Sequence, residues 1–191
     1  MPQHHHFILH KPFGFLSQFI TDFKKSRTGL LGEIHDFPNG TMSVGRLDKD
    51  SEGLLLLTTD GKVSNLVTSR KVQKEYYAQV DGDISEEAVR MLETGVEIGV
   101  DGQKYLTKAD KAFKIEPKPD FPPRIKKIRD ERHGPTSWVS LSISEGKFRQ
   151  VRKMTAAVGF PTLRLIRVRI GNIHLGNLKA GDFTEVENFD I

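Results

Sequence analysis

The sequence predicts a mixed α+β protein, on three observations. Val139, Leu141 and Ile143 alternate with Ser140, Ser142 and Ser144, the period of a half-buried strand. Val151, Met154 and Val158 then recur at helical spacing. Ile166, Val168 and Ile170 alternate with Arg167 and Arg169, so a second strand follows, apolar on one face and arginine on the other.

The remaining elements follow in chain order. Phe7-Ile8-Leu9 predicts a short strand that stops near Lys11-Pro12. Residues 13 to 40 mix apolar residues with Gly, Pro and charges, which predicts mostly loop and a short helix near Leu30 to His35. Met42 and Val44 alternate with polar neighbours and lead as a strand into a charged loop, Gly45 to Gly53. Leu54 to Thr58 reads as a buried strand. Asp60 caps a helix over Lys62 to Ser69, with Val63, Leu66 and Val67 on one face. Tyr76 to Val80 is a strand, and Ser85 caps a helix that Gly95 stops. Turn signals at Gly99 and Asp101-Gly102 divide Val96 to Ile115 into two or three short strands. Residues 117 to 135, rich in proline and charge, predict a long exposed loop. The helix of the last third spans Phe148 to Val158, with Gly159 as its stop.

The chain has 191 residues, enough for one domain or for two small halves sharing a core. It has no cysteine, which excludes disulfides and thiolate chemistry and fits a cytoplasmic compartment. No apolar run approaches the roughly 18 residues that span a membrane, and Met1 to His10 lacks the apolar segment of a signal peptide. The net charge of +4 is unevenly placed. Between Gly146 and Gly181 lie Lys147, Arg149, Arg152, Lys153, Arg164, Arg167, Arg169 and Lys179 with no acid, so the rest of the chain is net acidic. Such a block attracts a polyanion, or is simply a solvated basic face.

The aspartate loop is the first candidate for chemistry, because charges beside a core are costly unless paired or used. Asp48-x-Asp50-x-Glu52-Gly53 opens like a calcium loop, but position twelve is Thr59 and the flanking segment is strand-like, so no metal is expected. His4-His5-His6 reads as a terminal tract, not a ligand set. Neither a G-x-x-x-x-G-K-[ST] nor a G-x-G-x-x-G cradle occurs, and no G-x-S-x-G elbow. What remains is an aspartate acting alone as a nucleophile at a sugar carbon or an electron-poor ring carbon. An arginine would keep it ionised: Arg46 is adjacent in sequence, and Arg152 lies on the basic helix. The alternative is a surface turn whose aspartates cap the backbone.

Gly45-Arg46-Leu47-Asp48-x-Asp50-Ser51-x-Gly53-Leu54-Leu55 resembles the signature of the pseudouridine synthases, in their RsuA branch. Four other segments agree in order: Lys11-Pro12, Lys74-Glu75-Tyr76, Glu145-Gly146-Lys147-x-Arg149-Gln150-Val151-Arg152-Lys153-Met154, and Pro161 through Ile170. Pro135 to Trp138 and Gly159 to Arg167 resemble the RluE-like subgroup, which acts on large-subunit ribosomal RNA. The resemblance runs from about Phe7 to Val186 and lacks the N-terminal S4-type RNA-binding domain of many relatives.

The resemblance implies a single catalytic domain over residues 1 to 191, two subdomains sharing a long, mainly antiparallel sheet. Flanking helices and a central active-site cleft complete it. It implies isomerisation of uridine to pseudouridine in ribosomal RNA, with Asp48 as nucleophile at C1′ or C6 of a flipped-out base. Tyr76 would stack on the uracil, with Tyr77 as its rival, since neighbours on a strand face opposite ways. Arg152 would pair with Asp48, or contact phosphate as its neighbours do. Arg46, Lys147, Arg149, Lys153, Arg164 and Arg167 would contact RNA, and the cations of Phe121 to Gly134 offer a second surface. No cofactor, metal or membrane partner is expected, and a monomer is. The alternatives are a non-catalytic RNA-binding or assembly protein on the same fold, and a relative acting on small-subunit or transfer RNA.

Overall fold

Leu54, Leu55, Leu56 and Leu57 are all fully buried. Successive residues of a strand face opposite sides, so their strand is covered on both faces. Each such leucine contributes roughly 2 kcal/mol. The computed structural model describes residues 4–21, 28–69 and 72–191. In chain order its strands are β1 (His6–Lys11), β2 (Met42–Val44), β3 (Glu52–Thr58), β4 (Lys74–Asp81), β5 (Val96–Val100), β6 (Gln103–Thr107), β7 (Lys111–Lys114), β8 (Thr136–Ile143), β9 (Thr162–Ile170), β10 (Ile173–His174) and β11 (Phe183–Val186). The helices are α1 (Gly61–Ser69), α2 (Glu86–Thr94) and α3 (Gln150–Ala157). Two compact units result: Met1–Val72 with Arg167–Ile191, and Gln73–Ile166.

In the first unit β3 lies between β1 and the end of β9, and β11 flanks β1. β1 runs antiparallel to β3 from His6 opposite Thr58 to Lys11 opposite Gly53. β2 pairs with the last three residues of β3. The rings of Phe7, Phe19 and Phe183 each meet that of Phe37, with centroids 5.1 Å, 5.9 Å and 5.2 Å apart. Gly53 sits where β3 comes close to β9. Its φ is +103°, and a Cβ there would lie 2.3 Å from the carbonyl oxygen of Arg167. Glycine therefore meets both a backbone and a packing requirement at the end of the aspartate loop.

In the second unit the order is β9-β4-β8-β7. β4 and β8 pair antiparallel from Lys74 opposite Ile143 to Asp81 opposite Thr136. β5 and β6 form a separate hairpin, turned at Asp101 and Gly102, both at positive φ. Ala78, Val80, Leu92, Val139, Leu141, Met154 and Leu165 belong to its core. Helix α2 begins as its sequence predicts: Ser85 Oγ accepts from the Ala88 N–H at 3.2 Å, and the Gly95 N–H closes the far end on Met91.

The structure corrects several expectations. β8 is buried on both faces, Ser140 and Ser142 included. The 117–135 segment is the largely exposed loop that its composition predicts, although two of its side chains dock on the strands. Phe121 packs on Trp138 and Tyr77, and Arg129 pairs with Asp81. Helix α3 starts at Gln150, leaving Phe148 outside it and 68% exposed. Of the three apolar residues expected on one face of α1, Val67 alone is buried, while Leu66 is exposed and edges a small pocket with His6 and Phe189. The short helix near Leu30 is a single 3-10 turn over Leu31–Glu33. β10 and β11 lack an alternating pattern long enough to predict them.

Gly53→Ala is expected to destabilise the protein by about 3 kcal/mol or more in urea denaturation, from strain at positive φ and the backbone clash. Gly61→Ala, where no neighbour crowds the added methyl, is expected to be neutral or mildly stabilising. A wild-type midpoint for Gly53→Ala would contradict the close approach of β3 and β9.

Candidate active site

The aspartate loop is held by its backbone. Gly45, at φ +70°, turns the chain out of β2, and the buried Leu47 side chain anchors the loop. Asp48 begins a turn closed by the Ser51 N–H on the Asp48 carbonyl at 3.0 Å. Ser51 and Glu52 then enter the core, while Asp48 and Asp50 remain partly exposed. Ser17 Oγ accepts from the Leu47 N–H at 2.9 Å and donates to the Leu47 carbonyl at 3.0 Å. The Gly14 N–H donates to the Lys49 carbonyl at 2.8 Å. Arg167 donates through Nε to the Leu54 carbonyl at 2.8 Å and through Nη1 to the Arg46 carbonyl at 3.3 Å. Residues on both sides of Asp48 are thus fixed by groups distant in sequence.

Lys11 lies under this loop with no solvent exposure. Its ammonium donates to the carbonyls of Pro12 at 3.0 Å and Phe15 at 2.7 Å. Burial pulls its pKa down to about 7. The Glu52 carboxylate opposes that shift, Arg167 adds to it, and Asp48 and Asp50 oppose it. Two carbonyls bond the buried Nζ, and three acidic neighbours offset in part the cost of burying its charged form.

The other predicted residues, apart from Arg46 and Arg167, belong to the second unit. On β4, Tyr76 stands opposite Leu141 and packs against the core, whereas Tyr77 stands opposite Ser140 and its ring meets Phe121 at 6.2 Å. The two tyrosines face opposite sides, as strand geometry requires. The start of α3 is organised by Glu145, which accepts from Tyr105 at 2.7 Å, from Gln150 at 2.7 Å and from Thr107. Burial pushes the Glu145 carboxyl up, but these hydrogen bonds outweigh it and hold it below its ordinary value. Gln150 in turn accepts from the Lys147 N–H at 2.9 Å. Arg149 takes a left-handed conformation at φ 55° ahead of the helix. Arg152 is half-buried, with Nη1 3.4 Å from the Thr162 carbonyl. Lys147 stands exposed over the Tyr105 ring, and Lys153 donates to the Gly99 carbonyl at 2.7 Å.

Two predicted RNA contacts need correction. Arg164 and Arg167 are 6% and 4% exposed. Arg164 lies over the Phe121 ring and donates to the Pro122 carbonyl at 3.0 Å, and Arg167 donates to the loop and β3 as described. Their guanidinium groups lie in the protein interior and bond backbone carbonyls there, while the buried Nη2 of Arg167 has no hydrogen-bond partner among the described residues. The arginine face of β9 is therefore not a solvent-facing basic stripe. In the 121–134 segment Arg124 bonds the carbonyls of Lys126 and Leu163, Arg129 meets Asp81, and Arg132 meets Asp130. Lys126 and Lys127 stay exposed there. Ser17 and the acceptor network of Glu145 are neighbours of the predicted residues that the sequence pattern does not mark. A lone serine between Leu16 and Gln18 carries no pattern, whereas the glutamate was visible only as part of a motif. Among the described residues no three His, Asp or Glu side chains gather as a metal-holding group, and no helix is long and apolar enough to cross a membrane.

Residues 5–157 match the sequence pattern of the family described as RNA pseudouridylate synthase. The chain is 42% identical over 173 residues to the ribosomal large subunit pseudouridine synthase E of Xanthomonas axonopodis pv. citri (strain 306), covering 90% of this chain and 88% of that one. It is 39% identical over 183 residues to the protein of the same name from Vibrio parahaemolyticus serotype O3:K6 (strain RIMD 2210633), covering 94% and 73%. A crystal structure of a pseudouridylate synthase superposes with a TM-score of 0.74 at 27% identity, over 97% of this chain and 71% of that one.

Proposed function

The chain belongs to the RNA pseudouridylate synthase family, and we propose that it isomerises a uridine of large-subunit ribosomal RNA with Asp48 as the nucleophile. The observation that carries the substrate class is the near full-length similarity to relatives named as large-subunit enzymes. That substrate also makes the cytoplasm its place of action.

The reaction breaks the N1–C1′ bond of uridine and forms a C5–C1′ bond, while the C5 proton is lost and N1 gains one. Atoms and electrons balance without oxidant, reductant or water, so the chemistry asks for no cofactor. Asp48 attacks C1′ or C6 and holds the fragments together between the two half-reactions. Its partly exposed carboxylate on a backbone fixed at Leu47 and Lys49 supports that role. Tyr76 stacks on the uracil and Arg152 holds an ionised carboxylate, each on its position in the family's motifs. Arg46, Lys147, Arg149 and Lys153 contact the RNA backbone, which positions the substrate without reading its sequence. Extruding the base requires a few kcal/mol, less where the uridine is already unpaired.

Asp48→Asn is expected to fold and bind RNA within a few-fold of wild type, and to form no pseudouridine. The check is pseudouridine mapping on large-subunit ribosomal RNA from cells lacking the native protein, complemented with either form. Full restoration by Asp48→Asn would remove it as nucleophile.

RNA affinity is expected to fall on the order of 50-fold between 50 and 200 mM salt, for about four neutralised phosphates of single-stranded RNA. Lys147→Ala is expected to reduce the slope of log K against log salt by about 0.7. An unchanged slope would take Lys147 out of the interface.

A further inference from the structure

We propose that Ser17 is a positioning residue for the reaction: its hydroxyl sets the backbone from which the Asp48 carboxylate projects. This rests on Asp48 being the nucleophile. The hydroxyl lies between the N–H and the C=O of Leu47, accepting from one at 2.9 Å and donating to the other at 3.0 Å. Both of its functions are therefore used on the residue directly before Asp48. Serine is the smallest side chain that can accept and donate from one atom.

Ser17 is itself immobilised. It is 6% exposed, and its carbonyl accepts from Ser43 Oγ at 2.9 Å, which ties it to β2. Its neighbours are fixed too, with the Leu16 N–H on the Gly29 carbonyl at 2.9 Å and the Leu31 N–H on the Gln18 carbonyl at 2.9 Å. The same segment holds the other side of Asp48 through the Gly14 N–H and the Lys49 carbonyl. Gly14 makes that turn at φ +88°, and Lys11 closes it through the Pro12 and Phe15 carbonyls. Asp48 thus lies between two fixed points that one segment supplies. A nucleophile needs this kind of restraint, because an error of about 1 Å in its placement can slow a reaction on the order of 100-fold.

Ser17→Ala leaves two polar groups of the buried Leu47 backbone without their partner, so the loop is expected to relax. The test is single-turnover pseudouridine formation on transcribed large-subunit ribosomal RNA, with RNA affinity and thermal midpoint measured on the same full-length preparations. Ser17→Ala is expected to lower the single-turnover rate ten- to hundredfold, with RNA affinity within about threefold of wild type. A folded Ser17→Ala with the wild-type rate, or a rate loss matched by an equal loss of affinity, would overturn the proposal. Ser17→Cys keeps the branching with a larger atom that is a weaker donor and acceptor; it carries the same expectations and the same overturning results should Ser17→Ala not fold. Asp48→Asn is run alongside. Activity in that variant would refute the nucleophile assignment itself, whereas an inactive Asp48→Asn with a fully active Ser17→Ala refutes only the role of Ser17.

Discussion

The buried Nζ of Lys11 is the constraint on which the first unit's aspartate loop depends. An amine without solvent exposure, charged or neutral, must find its acceptors within the chain, and the carbonyls of Pro12 and Phe15 supply them. Satisfying it folds residues 12–15 back into a tight turn, which delivers the Gly14 N–H to the Lys49 carbonyl and brings Ser17 against Leu47. The acidic residues that looked expensive beside a leucine core are part of the same compensation. Glu52, Asp48 and Asp50 all favour the charged form of Lys11. Asp48 nonetheless keeps a partly exposed side chain.

The basic block divides into residues that build and residues that face solvent. Arg164 and Arg167 donate to backbone carbonyls inside the protein, and Arg169 donates to the Gly171 carbonyl at 2.9 Å. Guanidinium suits this work because its several donors can satisfy acceptors in different directions, and it stays charged when buried. Lys147, by contrast, is exposed at the turn before α3. A count of cations along the sequence cannot separate these classes, because burial depends on which acceptors the fold brings near. Net positive charge in the C-terminal third therefore overstates the polyanion-binding surface.

Much of the fold was legible because local patterns and tertiary burial agree. Ser85 and Gly95 bound α2 as their types predict, and Asp101-Gly102 turns the β5–β6 hairpin. Misses arose where packing overrode pattern. The serines of β8 are buried, and Ser140 Oγ donates to the Glu75 carboxylate at 2.8 Å, so their polarity did not mark a solvent side. β11 pairs with β1 at the far end of the chain, a contact no local window contains. The aspartate loop stood out in the sequence as a candidate, since acids beside leucines demand an explanation. Ser17 did not, since its contact with the loop lies 30 residues away in sequence.

The segment from Glu145 to Met154 shows why a motif does not by itself assign roles. Helix α3 has no side-chain cap at Arg149, so its start must be held otherwise. Gln150, buried in the first turn, accepts from the Lys147 N–H and donates to Glu145 and Thr107. Glu145 adds Tyr105 and Thr107, which ties the approach of the helix to β6. Such a network stands only if all its members are satisfied, so these polar positions are fixed as tightly as core residues. Once they fix the turn, Lys147, Phe148 and Arg149 are carried on it, with Arg149 in the left-handed conformation and Phe148 turned to solvent. Part of the motif is thus scaffold and part is presented surface. Loss of activity from Glu145 or Gln150 would report on the geometry of the turn, whereas loss from Lys147, if it contacts RNA as proposed, would report on binding.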